Sequence, residues 1–210
     1  MNPAKSYSHL FSPLGGDAAD NYRAPGQITF LRAPHVPMET AALKKCGARY
    51  AFIGVPFDEG NVGKPGSEDG PREFRLASQE YFSYWFEFGV DLHGMAVDCG
   101  DVQMPKVSPE TAHAKIHRAV RTVLAAGMVP IVVGGDRSIS ISSARALSDH
   151  IGAKKKMGCL HFGAQLDMAE SWAGETMVST CALARITELP NLAAANVAHR
   201  GGSGQRPLSA

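Results

Sequence analysis

The sequence lacks the features that mark several large protein classes. Its four cysteines, Cys46, Cys99, Cys159 and Cys181, are scattered and form no CxxC pair, which argues against a disulfide framework. No apolar run approaches the roughly 18–20 residues that a membrane span needs. Residues 1–16 contain no apolar segment of the kind found in signal peptides. We therefore expect a reduced, cytoplasmic protein that does not insert into membranes.

The sequence also lacks a charge excess of either sign. Lys and Arg total 21 and Asp and Glu total 20, for a net charge of +1, so nothing indicates nucleic acid or an anionic membrane as a partner. The one dense basic run, residues 154–156, is interpreted as a solvated loop beside a strand. At 210 residues and 44% hydrophobic content, the chain suits one globular domain or a large part of one.

Hydrophobic patterning divides the chain into three parts. Residues 1–45 are predicted to form an irregular N-terminal arm with one short helix near 39–45, residues 46–199 an α/β domain, and residues 200–210 a flexible tail rich in Gly, Arg and Ser. In the domain, predicted strands at 50–55, 95–97, 129–133, 157–162 and 196–199 alternate with helices at 72–82, 109–126, 138–147 and 178–188. This alternation favours a parallel sheet with helices packed on it.

Four loops at the predicted strand ends carry recognisable motifs. They read GVPFDEGNVGKPGSEDGPREFR at 54–75, DCGDV at 98–102, VGGDRSI at 133–139 and HFGAQLD at 161–167. In this order and spacing they resemble the ureohydrolase (arginase/agmatinase) family, whose motifs are GxPxD followed by PGxxxGPxxxR, then DxGDV, GGDHS and HFDAHxD. The long arm and the HF before the last motif make the agmatinase/guanidinobutyrase branch the more similar one.

The resemblance implies a three-layer arginase-like fold with a parallel sheet, of which the C-terminal part is missing from this chain. The family reaction is hydrolysis of a guanidino compound, agmatine-like in this branch, to urea and an amine. Two manganese ions activate the attacking water. Their ligands in the family are the His of GGDHS, the Asp, His and Asp of DAHxD, and two acids of a later DxD motif.

Residue by residue, the metal ligands do not match. Arg137 stands at the histidine of GGDHS, Gly163 at the first aspartate of DAHxD and Gln165 at its histidine, so Asp167 is the only retained ligand position. Glycine offers no donor atom, a neutral amide is a weak ligand, and arginine stays protonated. We therefore predict that manganese is not bound, that no catalytic residue can be assigned, and that the family reaction is lost or severely impaired.

Two other functions stay open. The chain could be a non-catalytic subunit or a guanidino-compound binder that assembles with an intact homologue, or an active hydrolase with an unusual metal site. Since ureohydrolases are commonly trimers or hexamers, a homo-oligomer or a hetero-oligomer is expected. Each of the three lost ligands is one base change from its family residue. After His199 the chain continues as a Gly/Arg/Ser/Pro-rich tail where the family would continue into another strand. Both signs indicate decay, and a frameshift or an early end of the reading frame is a further hypothesis. An unpaired sheet edge would then favour a covering partner.

The remaining polar candidates have simpler structural interpretations. Asp136 and Ser138 are expected to cap the following helix, and His161 to be a strand residue with a satisfied hydrogen bond. His113 and His117, spaced i and i+4, are interpreted as an exposed helix face rather than a metal pair. Asp98 and Asp101 are expected to tie down loop backbone. The aromatic residues between 81 and 88 favour either core packing or an oligomer contact; they are Tyr81, Phe82, Tyr84, Trp85, Phe86 and Phe88.

Overall fold

The computed structural model describes residues 28–104 and 108–201. Its strands are β1 (Tyr50–Val55), β2 (Tyr84–Trp85), β3 (Val90–Asp91), β4 (Ala96–Asp101), β5 (Val129–Gly134), β6 (Met157–Phe162) and β7 (Leu192–Arg200). Its α-helices are α1 (Thr40–Cys46), α2 (Gly70–Ser78), α3 (Pro109–Ala125), α4 (Ile139–Ile151) and α5 (Ala182–Thr187). Residues 1–27 of the predicted arm and 202–210 of the predicted tail lie outside the described residues.

The strands form two parallel sheets and one hairpin. The first sheet has the order β4-β1-β5, and the second pairs β6 with β7. β1 is the central strand, with Tyr50 opposite Ala96 on one side and Val129 on the other. The predicted α/β class with a parallel sheet is confirmed. The sequence did not predict the short antiparallel hairpin of β2 and β3, in which Tyr84 pairs with Asp91.

Successive side chains of a strand point to opposite faces of the sheet, so β1 presents apolar side chains on both faces. Helices pack on each of these faces. Ile53 and Val55 belong to a core cluster that includes Ile116 and Val120 of α3. On the opposite face Phe52 packs against Phe30, with ring centroids 3.7 Å apart. Phe30 in turn stacks on Phe74 of α2 at 4.9 Å. Helices therefore cover both faces, as the three-layer expectation required.

A second apolar cluster lies between the second sheet and the helices packed on it. It contains Leu183 and Ile186 of α5 and Leu192 of β7, with Met157 of β6 packed against it. α4 packs against both α3 and α5, so the helix layer runs from one sheet to the other. In the part of the chain that the structure describes, no helix is long and apolar enough to cross a membrane.

Several predicted helix boundaries differ from the structure by up to four residues. The helix predicted at 72–82 begins at Gly70 and ends at Ser78, and the chain then enters the β2–β3 hairpin. The helix predicted at 178–188 is a 3-10 turn, Ser179–Cys181, followed by α5. By contrast α3 begins as expected, with the Ser108 hydroxyl accepting a hydrogen bond from the Thr111 amide at 3.4 Å.

A bulge in β4 directs two carboxylates to the same face of the sheet. Phe52 of β1 lies opposite Asp98 of β4, and Gly54 of β1 lies opposite Asp101 of β4. Two steps along β1 therefore correspond to three steps along β4. Gly100 within the bulge has φ +75°, a left-handed conformation that glycine adopts without strain. In a regular strand residues i and i+3 would point to opposite faces. The extra residue therefore lets Asp98 and Asp101 approach one partner together.

That partner is Arg75 of α2. Its Nε and Nη2 donate to the two carboxylate oxygens of Asp98 at 2.7 and 2.9 Å, and its Nη1 donates to Asp101 at 2.6 Å. Asp98 is 1% exposed and also accepts from the amides of Phe30 and Gly100, both at 2.8 Å. Hydrogen bonding to Asp98 raises the pKa of Arg75, so its charge is permanent.

Arg75→Met should lower the free energy of unfolding by about 3–5 kcal/mol, because it leaves the buried Asp98 carboxylate without its cation. Urea denaturation followed by circular dichroism measures this loss. The matched control is Arg72→Met on the same helix, where the exposed ion pair with Glu73 contributes at most about 1 kcal/mol. Equal effects of the two substitutions would contradict the role given to Arg75.

His113 should make stability depend on pH. Burial lowers its pKa below the ordinary 6.5, so below about pH 6.5 the unfolded chain binds a proton that the folded chain does not. The free energy of unfolding should therefore fall as the pH drops through 6.5 toward the lower folded-state pKa. His113→Gln should flatten this decline, and the exposed His150→Gln is the control. Unchanged slopes in urea titrations of His113→Gln would refute this.

Candidate functional site

The loop that follows β5 is held against the end of β1. The Gly135 amide donates to the Val55 carbonyl at 3.0 Å, and the Asp136 amide donates to that of Phe57 at 2.9 Å. The Asp136 carboxylate accepts from the amides of Gly60 and Ser138 at 2.9 and 2.7 Å. Burial raises the pKa of Asp136. The Asp136 carboxylate therefore holds loop backbone rather than an amide of α4, and the Ser138 side chain makes no cap, so the predicted helix capping is not observed.

The loop that follows β6 turns at Asp167. Asp167 has φ +53°, in the left-handed region, and its carbonyl accepts from the amides of Leu183 and Ala184 at 2.9 and 3.2 Å. These bonds tie the loop to the start of α5. They also direct the Asp167 side chain inward, where it is 2% exposed. An isolated carboxylate at such a position would be costly, so it requires a partner.

Arg137, from the β5 loop, supplies that partner. Its Nε donates to one oxygen of Asp167 at 2.7 Å and its Nη2 to the other at 3.0 Å, a bidentate ion pair. The same Nη2 also donates to Oε1 of Gln165. The Arg137 side chain is half exposed, so the cluster lies at the surface end of the two loops. Three of the four positions compared with the family motifs thus contact one another directly.

These residues do not fit a metal pair. Both Asp167 oxygens and the Gln165 amide oxygen are engaged by a guanidinium, and Gly163 has no donor. Over residues 28–104 and 108–201, no group of three or more His, Cys, Asp and Glu side chains is placed to hold a metal ion. A bound dication would have to displace Arg137, which cannot lose its charge by deprotonation.

Packing does not explain why position 163 is glycine. A Cβ built on Gly163 would meet its nearest atoms at 3.6 Å, which is ordinary van der Waals contact. Gly135 in the neighbouring loop is different, since a Cβ there would lie 2.2 Å from the Phe57 carbonyl oxygen. The backbone therefore requires glycine at 135 but leaves room for a side chain at 163.

Two histidines extend the site along β6 and β7. His161 and His199 are paired in register, and their Nδ1 atoms are 2.8 Å apart. One ring must donate its Nδ1 hydrogen and the other must accept, so the two rings hold opposite tautomers when both are neutral. His161 Nε2 lies 3.8 Å from Asp167. The satisfied hydrogen bond predicted for His161 is confirmed, although His199 was not predicted as its partner.

The other polar candidates lie away from this site. The exposed interpretation of His113 is wrong: it is buried between α3 and α4, with Nδ1 2.8 Å from the Ser142 hydroxyl. His117 Nε2 lies within hydrogen-bond distance of an Asp149 carboxylate oxygen, at 2.8 Å. Asp98 does hold loop backbone as predicted, but its main partner, Arg75, was missed. The sequence feature that could have indicated this ion pair is the position of Arg75 on the inner face of the amphipathic helix α2.

The comparisons with known proteins agree with the motifs. A family model described as the arginase family matches residues 48–207. The chain is 31% identical to guanidinobutyrase of Pseudomonas aeruginosa over 185 residues, which are 86% of this chain and 54% of that protein. It is 29% identical to an agmatinase of Klebsiella pneumoniae over 158 residues, 72% of this chain and 49% of that protein.

Solved structures show the same fold. A hypothetical agmatinase from Burkholderia thailandensis superposes with a TM-score of 0.74 at 20% identity, covering 89% of this chain and 57% of that one. A formiminoglutamase from Trypanosoma cruzi with Mn²⁺ has a TM-score of 0.68 at 26% identity, covering 80% and 58%. The chain thus spans about half the length of its curated relatives. The matched model and the shared fold establish that it belongs to the arginase family.

Proposed function

We propose that this chain is a member of the arginase family that does not hydrolyse guanidino compounds. The observation that carries the proposal is the bidentate ion pair between Arg137 and Asp167. It places a permanent cation on the only carboxylate retained among the four ligand positions that the motifs define. The agmatine-like substrate and the two manganese ions then belong to the reaction of the relatives, not to this chain.

The electrostatics of the site support the loss of metal. Metal binding at Asp167 would require the Arg137 guanidinium to leave and a dication to approach that permanent positive charge. Such like-charge repulsion costs several kcal/mol at short range even at an effective dielectric of about 20. Neither Gly163 nor Gln165 supplies a compensating anionic ligand.

The same ion pair argues against a guanidino-compound binder at this loop. A free guanidinium ligand would have to compete for Asp167 with Arg137, which is already in place and is held there by the chain. An intramolecular group has a high effective concentration, so a soluble ligand of equal chemistry is at a disadvantage. The chain's own guanidinium occupies the acceptor that such a ligand would need.

Restoring three of the missing ligands should restore measurable manganese binding. The triple variant Arg137→His, Gly163→Asp and Gln165→His fills four of the six family ligand positions, and it should bind more manganese than the unmodified chain, because a Cβ at position 163 meets no atom closer than 3.6 Å and the repelling cation is gone. Mass spectrometry of the metal content measures this, alongside urea release from agmatine and guanidinobutyrate. Arg137→Met alone is the control: it removes the cation, adds no ligand, and should bind no manganese.

Two equivalents of manganese in the unmodified chain, together with urea release, would refute the proposal. Manganese bound by Arg137→Met alone would show that the cation, rather than the missing ligands, prevents binding. If the triple variant folds but stays free of manganese, the retained loop geometry is insufficient for a centre. A circular dichroism spectrum matching that of the unmodified chain is the criterion for folding.

A second candidate function is assembly with a longer homologue. Among the described strands, β5 pairs only with β1 and β6 only with β7, so each sheet presents backbone groups at an open edge. Leu160 and Phe162, on one face of β6, are 73% and 74% exposed. Open edges and an apolar face are the features that a covering polypeptide would bury. These features favour a non-catalytic subunit over an isolated protein.

Mixing the chain with guanidinobutyrase of Pseudomonas aeruginosa should produce a co-eluting complex if this second function holds. Amide hydrogen exchange should then slow in β5 and β6 but not at the exposed end of α4. Leu160→Ser combined with Phe162→Ser should abolish the complex, while Leu166→Ser, in the loop outside the strand, is the control. A monomer with a cooperative melt and unchanged exchange in the mixture would exclude assembly.

A further inference from the structure

A large apolar concavity lies beside the β2–β3 hairpin, away from Arg137. It is a groove of about 1000 Å³ whose lining includes Phe52, Phe74, Tyr81, Trp85, Phe86 and Leu92. The hairpin aromatics are exposed, from 43% for Tyr84 to 82% for Phe86. The core alternative for this aromatic segment is therefore wrong. A contiguous exposed patch of this kind marks a binding surface.

A second concavity continues the groove toward the sheet. It measures about 250 Å³ and shares Phe30, Leu31, Phe52, Ser83 and Leu92 with the groove. Ile131 of β5 is part of its lining. No Asp, Glu, Lys or Arg lines this pocket. The two spaces together form one site, with a narrow apolar end and a wide aromatic end.

The charged side chains that line the wide end are acidic, although the Arg32 guanidinium donates to the Gln79 and Tyr81 carbonyls nearby. Glu80 and Glu87 are the charged residues that line the groove, and no Lys or Arg lines it. Carboxylates at the rim attract a cation, and the faces of Trp, Tyr and Phe attract the same charge through their ring quadrupoles. The rings are held edge to face, with centroids 4.9 Å apart for Tyr84 and Phe86 and 5.5 Å for Trp85 and Phe88.

We propose that this site binds an organic cation with an apolar tail. The tail fills the pocket whose lining includes Ile131, and the cationic head lies among the hairpin aromatics near Glu80 and Glu87. This ligand uses every property of the site: its apolar depth, its aromatic faces and its negative rim. The site is independent of the Arg137 cluster, so it stands whether or not the chain hydrolyses guanidino compounds.

Charge also distinguishes this ligand from other occupants. A second copy docking hairpin to hairpin by a two-fold axis would bring Glu80 and Glu87 of both chains together, which like-charge repulsion opposes. An anionic amphiphile such as a fatty acid would meet the same carboxylates. A neutral apolar molecule would fit the pocket but would leave the negative rim unused.

Tryptophan fluorescence tests the proposal directly. The chain has two tryptophans, Trp85 in the groove and Trp172 outside it, so Trp172→Phe leaves Trp85 as the single reporter. Titration with hexyltrimethylammonium should change its emission saturably. Hexanol and hexanoate, matched in tail length, should bind at least about fivefold more weakly, because they lack the cation that the aromatic faces and rim attract. Propyltrimethylammonium should also bind more weakly, because its shorter tail leaves the pocket partly empty.

The double variant Glu80→Gln and Glu87→Gln identifies the carboxylates. It should weaken hexyltrimethylammonium at least about threefold and leave hexanol within about twofold. Glu73→Gln, an exposed α2 substitution that does not line the groove, is the matched control. Equal affinities for all three probes, no saturable signal, or a dimer by sedimentation that persists in saturating probe would each overturn the proposal.

Discussion

The three-layer domain depends on one buried cation. Arg75 crosses from α2 to the end of β4 and is bound by two carboxylates that a bulge at Gly100 directs to one face. A side chain at Gly54 would displace the Asp101 carboxylate from its place at Arg75, since a Cβ there would lie 1.8 Å from an Asp101 oxygen. The end of β1, helix α2 and the bulge in β4 therefore constrain one another. The loop from Gly54 to Gly60 begins at this end of β1, and its Gly60 amide donates to Asp136.

The sequence was most informative where local patterns and tertiary packing favour the same structure. β1 and α3 were predicted closely because an apolar run and a capped amphipathic stripe leave few alternatives. The hairpin at Tyr84 and Val90 was missed because each of its strands has only two residues, too few to show an alternating pattern. Only the tertiary structure shows that its aromatic residues are exposed. The bulge at Gly100 was also missed, since a one-residue change of register has no sequence period.

The candidate site was predicted as a set of positions but not as a set of contacts. Comparison with the family motifs identified Arg137, Gly163, Gln165 and Asp167, and it considered each position separately as a retained or lost metal ligand. The structure joins three of them in one cluster. The clue was available in the charges, because a new arginine and a retained aspartate at converging strand ends form a complementary pair. The partner of His161 could not be predicted, since it depends on the register of β6 with β7.

The Arg137–Asp167 pair also changes what the fold needs from its surroundings. When a bound metal ion neutralises the buried carboxylate of a loop, the order of that loop depends on the concentration of free metal. A chelator then removes the ion and the loop loses its order. Here the counter-charge is encoded in the chain, so it arrives with the polypeptide and cannot diffuse away. Among the described residues, the order of the Asp167 loop thus rests on a counter-charge that the chain itself supplies.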